Sequence, residues 1–68
     1  MKFIYEVVLE DWSFCELNDA AKYAEFDNPE EAFALHDEIK GAIESNVTGD
    51  YLFEGRTFDS VDVKVSRG

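Results

Sequence analysis

Two side chains in this sequence, His36 and Cys15, are of the types that perform nucleophilic catalysis, and each is the only residue of its kind. A nucleophile needs an adjacent base, and that base needs a third group to orient it. His36 lies beside the apolar stripe of a predicted helix and Cys15 lies in a separate segment, so the spacing does not predict such a pair. A structural zinc site needs three or four His or Cys ligands. The sequence therefore predicts no metal site and no cofactor.

Paired carboxylates are the next candidates for chemistry. The doublets Glu30-Glu31 and Asp37-Glu38 could act as general acid and base only if burial gave their carboxyl groups different proton affinities. Both doublets fall on the polar face of the predicted helix, where neighbouring residues point about 100° apart. We therefore expect no enzyme. We rank a small hydrolase last of three possible functions. It requires a concave site that joins His36 to a carboxylate and to Cys15 or a serine.

The helix acids recur with a regular spacing. The two doublets and then Glu44 follow one another every seven residues, roughly 10.5 Å along a helix, and Lys40 is the one base among them. B-DNA presents a phosphate about every 3.4 Å along each strand, and proteins that bind it carry matching Lys and Arg. A fixed array of carboxylates therefore predicts docking on a basic, nucleic-acid-binding protein surface. The predicted partner-binding residues are Glu30, Glu31, Asp37, Glu38 and Glu44, with Glu10, Asp11 and Trp12 as a second patch.

The elements before the helix must include at least one strand. Residues 2–10 alternate an apolar face with a mixed face, which is typical of a strand inside a sheet. Residues 12–27 allow two interpretations. We favour a loop over 12–18 followed by a strand from about 19 to 26, and the alternative is a helix, because Ser13 and Glu16 have capping-box spacing.

The helix itself is the clearest element. Asn28 is a suitable N-cap and Pro29 suits the first helical position. The apolar stripe predicted to face the core is Ala32, Leu35, Ile39, Ala42 and Ile43, flanked by Phe33 and His36. Residues 51–54 and 57–65 read as a hairpin around a Gly55-Arg56 turn, with Phe53 opposite Phe58.

Composition bounds the class of protein. The 68 residues form one domain, residues 1–68, with a net charge of −10. A hydrophobic fraction of 46% and an aromatic fraction of 15% exclude an acidic disordered tail. The excess of acids excludes direct nucleic-acid binding. No run is long and apolar enough to span a membrane, and no export signal is visible. The single cysteine fits a reducing cytoplasm.

These elements predict an α+β fold. We expect an antiparallel sheet of three to four strands with one amphipathic helix packed on one face, in the order β-β-α-β-β. If residues 13–26 are helical, the order becomes β-α-α-β-β.

The length, the ten-charge excess and the compact plan around residues 29–44 resemble the small acidic inhibitors encoded by bacteriophages, including anti-CRISPR and anti-restriction proteins. That resemblance implies a non-enzymatic inhibitor in the cytoplasm of a bacterial host. It would bind the basic groove of a CRISPR-type or restriction defence complex, some members of the class doing so as DNA mimics. The partner is then a basic protein surface, with no direct nucleic acid and no membrane.

A second resemblance supports a different class. The run Lys22-Tyr23-Ala24-Glu25-Phe26, continued by Asn28-Pro29-Glu30-Glu31-Ala32, resembles the strand-to-helix step of HicB-type antitoxins, without their Gly-containing turn and DNA-binding extension. It implies an antitoxin-like or regulatory interaction module, monomeric or homodimeric through a sheet edge. In that case aromatic side chains matter more than charge. Trp12, Phe14, Tyr23 and Tyr51 either anchor an interface or cover the open face of the sheet.

Overall fold

The structure is a computed structural model that describes residues 2–67. Within that range the chain forms five strands, one α-helix and a short 3-10 turn. In chain order they are β1 (Phe3–Asp11), the 3-10 turn (Ser13–Cys15), β2 (Asp19–Phe26), α1 (Pro29–Ser45), β3 (Tyr51–Phe53), β4 (Arg56–Phe58) and β5 (Ser60–Arg67). The predicted α+β class is confirmed, and so is the order β-β-α-β-β, with the last predicted strand divided into β4 and β5. β3 and β4 form a separate two-stranded sheet.

β1 is the central strand of an antiparallel sheet with the order β2-β1-β5. Its β-branched and aromatic residues suit this position, because such side chains pack well against those of neighbouring strands. Val7 and Leu9 are fully buried against α1, in a core that includes Ile39 and Phe58. Val8 points to the opposite face. We call that second face, which no helix covers among residues 2–67, the open sheet face.

The ambiguous segment is a strand, as favoured, and the helical alternative is wrong. The loop over residues 12–18 ends at β2, which pairs with β1 from Asp11↔Asp19 to Tyr5↔Phe26. Packing overrides the helical propensity of its alanines, because Ala21 and Phe26 both contact the core. These two residues are five positions apart, and the bulge brings them to the same face of the sheet. A β-bulge interrupts the pairing between Val7 and Val8.

α1 begins and ends near the predicted residues. The Asn28 side chain accepts a hydrogen bond from the backbone N–H of Glu30 at 2.8 Å, and Pro29 is the first helical residue. The predicted stripe packs on the sheet through Ala32, Ile39 and Ile43, with Leu35 partly buried. Ala42, which the stripe also included, is exposed.

The predicted hairpin register is wrong. The turn residues are Glu54 and Gly55, and Phe53 pairs with Arg56 while Tyr51 pairs with Phe58. Both turn residues have positive φ, 50° and 75°, which is the conformation of a type I′ turn. The long second strand that we expected is also divided, because at Asp59 the chain leaves β3 and begins to pair with β1.

Candidate anionic interface

The helix cap places the first two acids of the predicted interface. Asn28 satisfies one of the free backbone N–H groups at the start of α1, and the helix dipole favours carboxylates at this end. Glu30 and Glu31 occupy the first turn and are exposed. The cap therefore fixes where α1 begins and places both carboxylates in its first turn.

The acids predicted on the helix share one exposed face. The buried residues Ala32, Ile39 and Ile43 define the side turned to the sheet, and the acids lie on the opposite side at about 100° per residue. We call this set the helix acidic face: Glu30, Glu31, Asp37, Glu38 and Glu44. These acids form two rows along the helix, with Glu30, Asp37 and Glu44 in one and Glu31 and Glu38 in the other. Ala34 and Gly41 lie between the rows and are both exposed.

The carboxylates of the helix acidic face are almost without counter-ions. Among residues 2–67, Glu30, Glu31, Glu38 and Glu44 form no ion pair, and Asp37 contacts only the His36 ring, with 3.0 Å between Oδ1 and Nδ1. The basic side chains that do form pairs use acids outside the helix. These pairs are Lys2–Asp27, Lys22–Glu25, Arg56–Asp19 and Lys64 with both Glu10 and Asp62.

The charge of Glu38 also affects Tyr51, which packs with Tyr23 beside the core. Tyr23 stacks edge-on with Tyr51, with 6.1 Å between ring centroids, and lies 5.0 Å from the Phe53 ring. Hydrogen bonding with the Tyr23 side chain raises the pKa of Tyr51, and burial and the negative charge of Glu38 act in the same direction. These two tyrosines pack beside the core and do not cover the open sheet face.

The second predicted patch does not form a free anionic surface at Glu10. Its side chain is 6% exposed on the open sheet face. Its Oε2 lies 3.3 Å from the Lys64 Nζ, and its Oε1 accepts a hydrogen bond of 3.1 Å from the Trp12 indole. Glu10 is therefore a structural group that neutralises Lys64 and orients Trp12.

Asp11 and Trp12 begin a loop that is built from hydrogen bonds. The Asp11 carboxylate accepts from the backbone N–H and the hydroxyl of Ser13, at 3.2 and 2.6 Å. The Asn18 amide closes the loop by donating to the carbonyl oxygens of Ser13 and Glu16. Phe14 lies at the tip with a φ of 58°, in the left-handed region that side chains of its kind rarely occupy.

The loop presents an apolar surface that contains Trp12 of the second predicted patch, the possible anchor Phe14, and Leu17, which was not predicted. Phe14 is 95% exposed, Leu17 is 49% exposed and Trp12 is 44% exposed. We name Trp12, Phe14 and Leu17 the apolar loop tip. Leu17 was missed because a loop over residues 12–18 has no periodicity from which the exposure of a side chain could be predicted, and the positive φ of Phe14 has no signature in the sequence.

His36 and a serine share one cleft but are not hydrogen-bonded to each other. A cleft of about 260 Å³ between α1 and the start of β5 contains His36, Glu44, Asp59 and Ser60. The Ser60 hydroxyl donates to Asp59 at 3.2 Å and His36 contacts Asp37, so within residues 2–67 no hydrogen bond joins a nucleophile to the imidazole. Cys15 is exposed in the loop after β1. The described part of the chain contains no cluster of three His, Cys, Asp or Glu side chains arranged for a metal ion.

No helix within residues 2–67 combines the length and the apolar character that crossing a bilayer requires. Comparison of the chain with protein-family models, with curated proteins and with solved structures finds no match.

Proposed function

We propose that this protein is a non-enzymatic inhibitor that docks its helix acidic face into the basic nucleic-acid-binding groove of a host defence complex of the CRISPR or restriction type. The proposal rests on one observation, which is that the carboxylates of the helix acidic face have almost no basic partners among residues 2–67. A surface built only for solubility would intersperse Lys to form i,i+4 pairs. Here four helix carboxylates have no ion pair among residues 2–67.

The mechanism is electrostatic substitution for nucleic acid. The helix orders the backbone of these carboxylates before binding, so the entropy lost when they meet Lys and Arg is that of their side chains. The same charges steer the encounter from a distance, an effect that weakens as salt is added. A protein that occupies the groove in this way blocks DNA without being cleaved or unwound.

The test is competition with double-stranded DNA for a purified defence complex. The variant Glu30→Lys/Asp37→Lys/Glu38→Lys changes the net charge from −10 to −4, since each reversal adds two charges. We expect its affinity for the complex to fall by roughly a hundredfold or more, because three attractive contacts become repulsive. The shape-conserving variant Glu30→Gln/Asp37→Asn/Glu38→Gln should lose less, and circular dichroism checks that both are folded.

The matched control moves the same charge change to other elements. Glu16→Lys/Glu25→Lys/Glu54→Lys also reaches −4, and it alters exposed residues outside α1. This control should keep most of the competition with DNA. Equal losses in the two triple variants would show that net charge alone matters, and the docking face would then be abandoned.

The apolar loop tip favours a second candidate, an antitoxin-like or regulatory interaction module. Exposed aromatic residues on a hydrogen-bonded loop are typical anchors of protein interfaces. The variant Phe14→Ser separates the two functions. A loop-centred interface predicts loss of binding in Phe14→Ser and near indifference to salt, whereas the helix acidic face predicts retained binding and a steep salt dependence.

A further inference from the structure

The two edges of the three-stranded sheet differ in regularity. β2 forms one edge and carries the bulge next to Tyr23. β5 forms the other edge and pairs with β1 in an unbroken register from Phe3↔Arg67 to Glu10↔Ser60. Within residues 2–67, β5 pairs with no other strand, so the outer side of an eight-residue strand retains unpaired backbone groups. Such an edge is a template for one more strand.

The sequence of this edge is complementary to itself. If two copies pair antiparallel about a two-fold axis at Val63, each residue faces the one equally far beyond Val63 in the other copy. Asp62 then faces Lys64 of the second copy, and Val61 faces Val65. Continuing outward, Ser60 faces Ser66 and Asp59 faces Arg67. Opposite charges and β-branched pairs in directly opposed positions both stabilise strand pairing.

The neighbouring registers are penalised by the same residues. A shift that centres the axis on residue 62 sets Asp62 against Asp62 of the second copy. A shift that centres it on residue 64 sets Lys64 against Lys64. A slip by a single position turns the valines toward the charged face. The alternation of Asp, Val and Lys therefore specifies one register and excludes its neighbours.

The side chains of β5 fit this arrangement. Val65 is 56% exposed although it lies on the face of the sheet that α1 covers. In the register centred on Val63, Val65 of the second copy lies beside Val61, which lines the cleft between α1 and β5. Arg67 follows it toward the end of that cleft occupied by Glu44 and Asp59. Arg67 is exposed and, within the described residues, forms no ion pair.

We propose that the β5 edge binds a second copy of this chain, giving a two-fold dimer with a continuous six-stranded antiparallel sheet centred on Val63. Because a two-fold axis perpendicular to the sheet keeps each residue on its own face, both helices lie on the same side. The dimer is independent of the function proposed above, since its formation requires no other partner.

The test is the mass of the full chain in solution, measured by sedimentation velocity over a range of concentrations. We expect a mass that rises from 7.8 kDa toward twice that value. The variant Asp62→Lys places lysines opposite each other at two symmetric positions, so its dissociation constant should rise about tenfold or more. Lys64→Asp should have the same effect. The double variant Asp62→Lys/Lys64→Asp restores opposite charges across the axis and should dimerise again.

The matched control is Glu16→Lys, which makes the same charge change as Asp62→Lys at an exposed residue between the 3-10 turn and β2. It lowers the overall repulsion between copies, as Asp62→Lys does, and should leave dimerisation unchanged or stronger. An equimolar mixture of Asp62→Lys and Lys64→Asp sets lysines opposite aspartates across the axis while each chain keeps its own intramolecular defect, including the loss of the pair between Lys64 and Glu10 in Lys64→Asp. Dimers should therefore form again in the mixture, whereas a purely intramolecular role predicts none. A wild-type mass of 7.8 kDa up to roughly 1 mM, or a failure of the double variant to recover, would overturn the proposal. Neither result bears on competition with DNA.

Discussion

The helix acidic face and the open sheet face are both rich in acids, but they differ in whether those acids form ion pairs with lysines. The open sheet face carries Glu6, Glu10, Glu25 and Asp62, and register places Lys22 and Lys64 among them. Both lysines form ion pairs there. The helix acidic face has five carboxylates and one nearby lysine, Lys40, which forms no ion pair among residues 2–67. Charge is thus used for stability on the sheet and left available on the helix.

The largest expected effect is the loss of Glu10. We expect Glu10→Ala to lower the free energy of unfolding by about 2 kcal/mol, because it removes a buried acceptor that neutralises Lys64 and holds Trp12. The matched substitution Glu38→Ala on the helix should change it by less than about 0.5 kcal/mol. Urea unfolding measures both. Similar losses in the two variants would remove the distinction between the faces.

An intermediate effect is expected at Gly41, in the middle of the helix acidic face. A Cβ at this position would meet nothing within 4 Å, so Gly41→Ala should raise the free energy of unfolding by about 1 kcal/mol. The reverse change, Ala34→Gly, is made at an exposed residue two turns earlier on the same face. It should lower the free energy of unfolding by a similar amount. A loss of stability in Gly41→Ala would mean that the helix is constrained here by a contact that the structure does not contain.

The smallest expected effect is that of salt on stability. Added NaCl screens repulsion among the helix carboxylates and weakens attraction on the open sheet face. The variant Glu30→Gln/Asp37→Asn/Glu38→Gln should therefore be stabilised less by salt than the wild type, by about 0.5 kcal/mol. Asp62→Asn should be stabilised more. The measurement is the urea midpoint at low and high NaCl at one protein concentration, and equal salt responses in all three proteins would contradict the comparison.

The fold was predictable where one physical signal dominated. Asn28 and Pro29 gave the start of the helix, and the alternation around Val7 gave a central strand. The hairpin register was not predictable, because Glu54 adopts a positive φ. The predicted Gly55-Arg56 turn required that conformation only of Gly55. The candidate site likewise has features that the sequence predicted and features that it did not. Exposure of the helix acids follows from periodicity, but the burial of Glu10 depends on Lys64, a residue brought close only by the pairing of β1 with β5.

The bulge at Tyr23 has a consequence for how far association can extend. A sheet with two regular edges adds copies at both sides without limit and grows into fibres. Here the extra residue in β2 makes one edge irregular, and in the dimer that we propose the regular β5 edge is the one that the two copies share. That dimer would expose only irregular edges and stop growing, so a deletion that straightens β2 is the change expected to convert it into a polymer.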